Sequence, residues 1–266
     1  MSDTPSSAWE NYGWDSLPSL VDDMHADVCV IGMGGSGLSA VHTLLDCGAS
    51  VVGIDANQVA GGAAGANGGF LLAGTARFYH QTIETLGHER ARELYRLTVQ
   101  EIERMQRAMP DIVRRVGSLR IAMSAEELTD CDKQFAAMTA DNLPVERYKG
   151  EEGDGLLIPT DGVFDPLARC RRLARSALQR GARIYEQTPA LDIQSGIVQT
   201  PHARVHCKHI VVTVDGKLDL VFPELKHRVR TARWGYEYWQ QLPTGCVLLG
   251  GFRDHAIEDE WTYSTQ

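Results

Sequence analysis

Apolar residues in the first part of the chain follow two different periods. Residues 26–31, ADVCVI, and 49–55, ASVVGID, are short and almost continuously apolar, as expected of strands buried on both faces of a parallel sheet. Between these two runs, apolar residues recur at helical spacing at Leu38, Val41, Leu44 and Leu45. Gly48 stands where such a helix would end. The pattern therefore predicts a β-α-β unit near the start of the chain.

The middle of the chain alternates helical and extended patterns. A helix predicted over residues 88–110 ends at its proline. The apolar side of this helix comprises Leu94, Tyr95, Ile102, Met105 and Met109. Residues 117–124, GSLRIAMS, favour a strand because their aliphatic positions nearly alternate. Ser124 and Glu127 then form the pattern of a capping box, which predicts a second helix.

Extended patterns dominate the rest of the chain. Residues 155–166, GLLIPTDGVFDP, indicate a strand, a turn and another strand. A helix then opens with Asp165 as its cap and closes at Gly181. Residues 182–216 read as a run of short β segments, the last of which, HIVVTVDG, is apolar enough to rejoin the first sheet. The aromatic stretch 230–241, RTARWGYEYWQQ, favours a further β segment.

This order of elements predicts an α/β fold with two interleaved lobes. One is a Rossmann-like dinucleotide-binding lobe built on a parallel sheet, and the other is an α+β substrate or cap lobe. No linker separates them in the sequence. We predict the first lobe to comprise residues 1–74 and 160–216, and the second to comprise residues 75–159 and 217–266.

The turn after the first predicted strand, IGMGGSGLSA, carries the spacing G-x-G-x-x-G. Gly32 permits the tight turn, Gly34 lets the backbone approach a pyrophosphate, and Gly37 lets the helix pack closely on the strand. The N-terminus of that helix offers free N–H groups and a positive dipole end to phosphates. Asp55 lies about 20 residues after the glycine turn, which is the spacing expected of the carboxylate that binds a ribose hydroxyl of the dinucleotide. The alternative to a dinucleotide site is an ordinary β-α-β crossover whose turn contains glycines. Asp55 also disfavours NADP, because it would repel a 2′-phosphate.

A long loop rich in small residues follows Asp55. Six glycines fall within residues 61–74, and a long loop in a compact domain is usually functional. Small residues allow the backbone to lie against a ligand, whereas the alternative is a flexible glycine linker. Asn67 and the apolar run FLL that follows favour the ligand-binding interpretation.

Residues 27–69, DVCVIGMGGSGLSAVHTLLDCGASVVGIDANQVAGGAAGANGG, resemble the opening of the D-amino-acid-oxidase-like family of FAD-dependent oxidoreductases. Within that family they look most like the γ-glutamylputrescine oxidoreductase-type group of amine and amino-acid oxidases. That group shows G-x-G-x-x-G-L-S-A, an acid and then G-A-S-G-R-N-G-G. The preceding WENYGWDSLP looks like its aromatic leader. The resemblance is strong over residues 26–74, moderate over 160–216 and looser elsewhere.

The resemblance implies FAD as the cofactor and assigns parts of the molecule to it. The glycine turn would line the pyrophosphate, Asp55 the adenosine ribose, and the small-residue loop would run beneath the flavin. Leu191 would hold the adenine through backbone groups, and the end of residues 209–216 would lie close to the flavin phosphates. The residues expected to bind the cofactor are Gly32, Gly34, Ser36, Gly37, Asp55, Ala56, Asn57, Gly62, Ala63, Ala64, Asn67, Gly68, Gly69 and Leu191.

Two positions depart from the family's pattern. Ala64 stands where the family usually has a serine, so a hydroxyl to the pyrophosphate is missing, and Ala66 stands where it usually has an arginine. Family members also usually run longer and close over the flavin ring with another glycine-rich turn and helix. The resemblance therefore implies that this chain alone binds FAD weakly, is a poor oxidase and tends to associate.

Composition and charge disfavour several classes of binding partner and of site. The net charge of −9 and the lack of a basic cluster disfavour a nucleic-acid partner. No run of apolar residues is long enough for a transmembrane segment, and the first residues lack a secretory signal, so we predict a cytoplasmic protein. The six cysteines form no C-x-x-C pair and are predicted to be reduced structural thiols. The nine histidines show no ligand motif, so no metal site is predicted. Whether the chain forms a homo-oligomer or binds a partner subunit is not decided by the sequence.

Candidate substrate-binding residues lie beyond the glycine loop. At period two, Trp234, Tyr236 and Tyr238 share one face of a predicted strand, where they would either wall a substrate pocket or pack as core. The resemblance places His80 near the flavin ring, although a lone histidine more often satisfies a local hydrogen bond. Arg253 would clamp a substrate carboxylate or pair with the aspartate beside it.

The resemblance implies an FAD-dependent oxidoreductase that oxidises the C–N bond of an amine or amino acid. Hydride would pass to flavin N5, the imine would hydrolyse, and oxygen or another acceptor would reoxidise the flavin. The cofactor carries this chemistry, and the sequence assigns no catalytic residue. One alternative is a truncated or partner-dependent flavin-fold subunit without catalysis. Another is an NAD-dependent dehydrogenase, which Asp55 permits and the loop at residues 61–69 disfavours.

Overall fold

The computed structural model describes Trp9 and residues 13–214, 231–232, 237–241 and 247–251. The strands are β1 Met24–Ile31, β2 Val51–Ile54, β3 Phe70–Leu71, β4 Val113–Arg114, β5 Ser118–Ile121, β6 Glu146–Gly150, β7 Gly153–Ile158, β8 Gly162–Phe164, β9 Arg183–Tyr185, β10 Asp192–Gln194, β11 Ile197–Gln199, β12 Arg204–Val212, β13 Thr231–Ala232, β14 Glu237–Gln241 and β15 Val247–Gly251. The helices are α1 Gly35–Asp46, α2 Ala63–Ala66, α3 Tyr79–Leu86, α4 His88–Ala108, α5 Ala125–Ala140 and α6 Pro166–Gln179.

The chain forms two compact units. The first comprises residues 1–67 and 170–266, and the second comprises residues 68–169. Strands β13, β14 and β15 pair with the sheet of the first unit, although the sequence-based division assigned residues 217–266 to the cap lobe. The division into an FAD-binding lobe and a substrate or cap lobe stays a prediction.

A mixed sheet with a parallel centre organises the first unit. Its main path runs β13-β14-β15-β12-β1-β2-β9, and the β10–β11 hairpin extends it beside β12. Strands β15, β12, β1, β2 and β9 are parallel neighbours, whereas β13 and β14 run antiparallel to theirs. The α/β fold with a parallel sheet, and the return of the chain to its first sheet at β12, are therefore confirmed.

The centre of this sheet is apolar on both faces, as the uninterrupted runs in the sequence predicted. All four residues of β2 and the last four of β1 are buried. The core packed around this sheet includes Leu20, Cys29, Ile31, Val52, Ile54, Val198, Val205, Ile210 and Val212. Helix α1 contributes Leu38 and Val41, which are fully buried, and it ends at Cys47 before a left-handed Gly48 at φ +78°.

The second unit combines two small antiparallel sheets, β3-β8-β4 and β5-β7-β6, with helices α3, α4 and α5. Its core includes Tyr79, Ala91, Tyr95, Cys131, Met138, Leu143, Leu156 and Ile158. The predicted cap of α5 is present, because the Ser124 hydroxyl accepts the Glu127 amide at 3.1 Å. The Glu127 carboxylate reaches back to the amide of Met123 rather than to that of Ser124.

Several elements differ from the sequence prediction, and strands β4, β6 and β15 were not predicted. The helix α3 was not predicted, since it has eight residues, no side-chain cap, and buries only Tyr79 and Thr82. The small-residue loop contains the short helix α2 and the two-residue strand β3. The β segment predicted over residues 230–241 contains two strands, β13 and β14, which pair antiparallel with Thr231 opposite Tyr238. None of the helices in the described part of the chain is both long and apolar enough to cross a membrane.

Candidate cofactor site

Three chain segments meet at the carboxyl edge of the parallel strands. In the register of the sheet, Ile31 at the end of β1 lies opposite Ile54 of β2 and opposite Val212 of β12. The residues that follow these strands, Gly32, Asp55 and Thr213, therefore share one edge of the sheet. Ligands of open α/β sheets bind at this edge.

The glycine turn is closed against the end of β12. Gly32 has φ +96°, and a Cβ atom on it would lie 2.5 Å from the carbonyl oxygen of Thr213. A Cβ atom on Gly37 would overlap the carbonyl oxygen of Gly32. The Thr213 hydroxyl donates to the carbonyl oxygens of Ile31 at 3.0 Å and Gly32 at 2.9 Å. The first and third glycines are thus required by backbone packing.

Gly34 differs from the other two glycines because no backbone atom lies within 4 Å of the position of a Cβ atom on it. It has an extended conformation, with φ −86° and ψ −166°, and it caps the N-terminus of α1. Within 4 Å, a Cβ atom on Gly34 would meet only the Cβ atom of Ala64, at 3.1 Å. No side chain caps α1, and its first turn contains no acidic residue. The first amides of a helix lack intrahelical acceptors, so this end fits an anionic pyrophosphate.

The carboxylate of Asp55 is tied to this turn. One of its oxygens accepts the amide of Met33, between the first two glycines, at 2.7 Å, and the other accepts the amide of Asn57 at 2.8 Å. The backbone of Asp55 donates to Tyr185 and accepts from Thr188. Because each carboxylate oxygen can accept more than one hydrogen bond, the half-buried group keeps capacity for ribose hydroxyls.

The small-residue loop places Ala64 beside the second glycine of the turn. The side-chain amide of Asn67 donates to the carbonyl oxygens of Ala63 at 3.3 Å and Ala64 at 2.9 Å, which closes the short helix α2. A Cβ atom on Gly62 would meet nothing within 4 Å. The side of the site at which the family usually has a serine hydroxyl therefore presents a methyl group.

Other predicted cofactor residues are placed less tightly. Ser36, Ala56 and Asn57 are exposed beside the turn and after β2. Leu191 donates its amide to the carbonyl oxygen of Gln199 at 2.8 Å, so a backbone contact with adenine would fall to its carbonyl group. Gly68 and Gly69 belong to the second unit, where the carbonyl oxygen of Gly69 accepts the amide of Phe164 at 2.8 Å. These cofactor roles stay predictions.

Sequence reasoning missed a buried carboxylate near this edge. Glu186 directly follows β9 and is fully buried. It accepts the indole N–H of Trp14 at 3.0 Å and the amides of Leu17 at 2.8 Å and Val59 at 2.6 Å. In the sequence Glu186 only follows the short extended segment ARIY, and its place beside Asp55 comes from the sheet register, in which Tyr185 lies opposite Ile54.

Of the predicted substrate residues, the structure describes the surroundings of His80 alone. Its Nε2 atom lies 3.5 Å from the Asp130 carboxylate in the second unit, and its side chain is only 13% exposed. The same carboxylate pairs with Lys133 at 3.1 Å. Trp234, Tyr236 and Arg253 lie outside the described residues, and Tyr238 is placed only as a backbone position in β14. Their proposed contacts with substrate stay predictions.

In the second unit, a buried aspartate binds the last part of the small-residue loop. Asp161 is 3% exposed and accepts the amide of Ala73 at 2.9 Å and the hydroxyl of Ser118 at 2.6 Å. Burial raises the pKa of this carboxyl group against the lowering effect of its two donors. Burial and the charge of Asp161 also raise the pKa of Tyr95, to about 12.

Cysteines and histidines do not assemble a further site in the described part of the chain. Cys29, Cys131 and Cys170 are buried, and burial raises the pKa of the Cys29 thiol far above its ordinary value. Among the described residues, no three His, Cys, Asp or Glu side chains converge as metal ligands do. Cys246 lies outside them.

Comparisons with known proteins agree with this geometry. Residues 27–243 match the family described as DAO, FAD dependent oxidoreductase. The chain is 29% identical to gamma-glutamylputrescine oxidoreductase of Escherichia coli over 229 residues, which is 79% of this chain and 54% of the relative. It is 25% identical to the probable oxidoreductase OrdL of Haemophilus influenzae over 233 residues, covering 80% of this chain and 54% of the relative.

Solved structures share the fold. L-amino acid deaminase from Proteus vulgaris gives a TM-score of 0.65 at 18% identity, over 88% of this chain and 70% of that one. Glycine oxidase from Geobacillus kaustophilus gives 0.62 at 19% identity, over 86% and 71%. The chain spans about half the length of the curated relatives it matches. The resemblance seen in the sequence is confirmed: the chain belongs to the DAO family of FAD-dependent oxidoreductases.

Proposed function

We propose that the carboxyl edge of the first sheet binds FAD, with the pyrophosphate over Gly34 and the amides that open α1. The observation that carries this proposal is that Gly34, at a helix N-terminus without a side-chain cap, is approached within 4 Å of its Cβ position only by the methyl group of Ala64. Gly32 and Gly37 shape the turn, and the Asp55 carboxylate, already oriented by Met33, receives the ribose hydroxyls. The family match favours FAD over NAD at this edge.

The proposed reaction is oxidation of the C–N bond of an amine or amino acid. When bound, FAD would supply the oxidising chemistry as the acceptor of the substrate's hydride at N5, and hydrolysis of the imine and reoxidation by oxygen or another acceptor would complete the proposed reaction. The names of the relatives support this reaction class, since they include a gamma-glutamylputrescine oxidoreductase and a glycine oxidase. The residues of this chain bind and orient the two reactants and exclude water, which is the protein's share in flavin chemistry.

The phosphate contacts of this chain would come from backbone groups more than from side chains. Ala64 offers no hydroxyl, and Ala66 offers no positive charge. The backbone amides at the N-terminus of α1 would make up for the missing side-chain contacts, through hydrogen bonds to the phosphates and through the helix dipole. Binding of FAD by this chain should therefore depend on the geometry of the turn at Gly34.

The experiment is an anaerobic titration of the FAD-loaded chain with a panel of amines and amino acids. Bleaching of the visible flavin band by one class of substrate is expected. A flavin that binds but is never reduced across a broad panel would refute C–N oxidation and leave the cofactor assignment intact. A chain that ignores FAD but is stabilised by NADH would instead favour the dehydrogenase.

A further inference from the structure

The segment before β1 contacts the chain after Asp55 at two places. We call Trp9 and residues 13–20 the leader. The indole N–H of Trp9 donates to the carbonyl oxygen of Asn67 at 2.9 Å. The side-chain amide of Gln58 donates to the Ser16 hydroxyl at 2.7 Å. The leader therefore contacts the small-residue loop at the end of α2 and also the residues directly after Asp55.

The buried side chain of Glu186 joins the leader to the loop after Asp55, and we call this set of hydrogen bonds the junction. One of its carboxylate oxygens accepts both the Trp14 indole at 3.0 Å and the Val59 amide at 2.6 Å. Its other oxygen accepts the Leu17 amide at 2.8 Å, and its own amide donates to Pro18 at 3.2 Å. A fully buried carboxylate needs such donors, since an uncompensated charge in the interior is costly. The leader supplies two of the three donors.

Two residues beside this junction have an unfavourable backbone conformation: Ala60, in the loop after Asp55, and Gln187, directly after Glu186. Ala60 has φ +57° and Gln187 has φ +48°, a region that residues other than glycine seldom adopt. Ala60 donates its amide to Met33 at 3.1 Å, and Gln187 donates to Asn57 at 3.0 Å. Such conformations persist only where the surroundings hold them, and they concentrate at ligand sites. Glu186 holds the residue before Ala60 in this loop, because its carboxylate accepts the Val59 amide at 2.6 Å.

Helix α6 fixes the leader from its other side. The guanidinium groups of Arg171 and Arg175 lie 5.5 Å and 5.4 Å from the centre of the Trp14 ring. Arg175 also donates to the carbonyl oxygen of Gly13. Trp14 is only 9% exposed. The indole is thus clamped with its N–H directed at Glu186.

We propose that the leader is a built part of the cofactor site: through Trp14 and Glu186 it positions the loop after Asp55 for the adenosine half of the cofactor, and through Trp9 it positions Asn67 for the flavin half. This inference rests on the proposed FAD binding. Trp14, Glu186 and Trp9 are positioning residues, because they act through the backbone of the loops that they hold.

Two tryptophan variants separate the two halves of the proposal. Trp14→Phe keeps the ring against the arginines but removes the donor to Glu186, and it should weaken both FAD and ADP binding by about tenfold, as expected for a hydrogen bond to a charged group. Trp9→Phe should weaken FAD binding by about threefold, the value of a neutral hydrogen bond, and leave ADP binding unchanged. Glu186→Gln places a side-chain amide against the Leu17 N–H, and it should weaken FAD and ADP binding as Trp14→Phe does.

Thr200→Val is the matched control. Thr200 is fully buried in the same unit, and its hydroxyl donates to Ala203 at 2.7 Å before β12 begins, at the opposite edge of the sheet. This variant should lower the melting temperature without changing either affinity. Hydrogen exchange of the cofactor-free chain gives a second measurement, since the Val59 amide should lose protection in Trp14→Phe and keep it in Thr200→Val.

The outcomes are distinguishable. If the unaltered chain binds FAD and both tryptophan variants bind FAD and ADP as tightly, the inference is overturned while the proposed function stands. If affinity falls in Thr200→Val as much as in Trp14→Phe, the leader acts only through global stability, and the inference is again overturned. If the unaltered chain binds neither FAD nor ADP, the proposed function and the inference fail together.

Discussion

Replacing Gly34 by valine would fill the space proposed for the pyrophosphate without breaking the turn. The extended backbone at Gly34 is one that any residue adopts. Within 4 Å, a Cβ atom there would meet only the Cβ atom of Ala64, at 3.1 Å, so that methyl group must move by a few tenths of an ångström. We expect a loss of about 1 kcal/mol in folding stability, the low end of overpacking costs.

The expected loss of affinity is much larger. A valine side chain over the N-terminus of α1 would displace the pyrophosphate from the amides that open the helix. Two charge-assisted hydrogen bonds, at about 1.5–3 kcal/mol each, amount to about 3–6 kcal/mol. The dissociation constant for FAD should therefore rise by about a hundredfold or more.

The assay is a fluorescence titration of FAD with the unaltered chain, Gly34→Val and the control Ser39→Val. Ser39 is exposed on the same helix, one turn further along, and its substitution should leave the affinity unchanged. Thermal melts establish that all three proteins are folded. A folded Gly34→Val protein that binds FAD as tightly as the unaltered chain would show that the pyrophosphate does not lie over Gly34.

Three further outcomes are expected. Gly37→Ala should destabilise the fold by about 1–3 kcal/mol in a thermal melt, because its Cβ atom would overlap the Gly32 carbonyl oxygen; an unchanged melt would contradict the tight turn. Ala64→Ser should tighten FAD binding about threefold to tenfold by restoring a hydroxyl beside Gly34, and weaker binding would argue against that contact. Since the pKa of Tyr95 is raised to about 12 from 10, the unfolded chain ionises first and stability should fall between pH 10 and 12. Tyr95→Phe should remove up to about 1.4 kcal/mol per pH unit of that slope, measured by denaturant titration, whereas an unchanged slope would refute the assignment.

The sequence predicted the parts of the fold that are governed by short-range patterns. Continuous apolar runs identified β1 and β2, and the glycine and acid spacings identified the turn and Asp55. The capping pattern at Ser124 located the start of α5, which the structure confirms. Each of these features is fixed by residues close together in the chain, so one sequence carries the signal.

Long-range partners could not be predicted in the same way. Glu186 gains its role from the Trp14 indole and the Val59 amide, which lie 172 and 127 positions away in the chain. Thr213 was placed near the phosphates only through resemblance, and its packing on Gly32 needed the register of β12. The helix α3 is held by tertiary contacts, such as the bond from the Tyr79 hydroxyl to Asp141, and not by a strong periodic pattern.

A crystal structure of the chain with FAD tests the central claim most directly. It should show pyrophosphate oxygens within about 3 Å of the amides that open α1, directly over Gly34, and a ribose hydroxyl on the Asp55 carboxylate. FAD bound elsewhere on the chain, or an ordered side chain or loop filling the space at Gly34 in the complex, would contradict it.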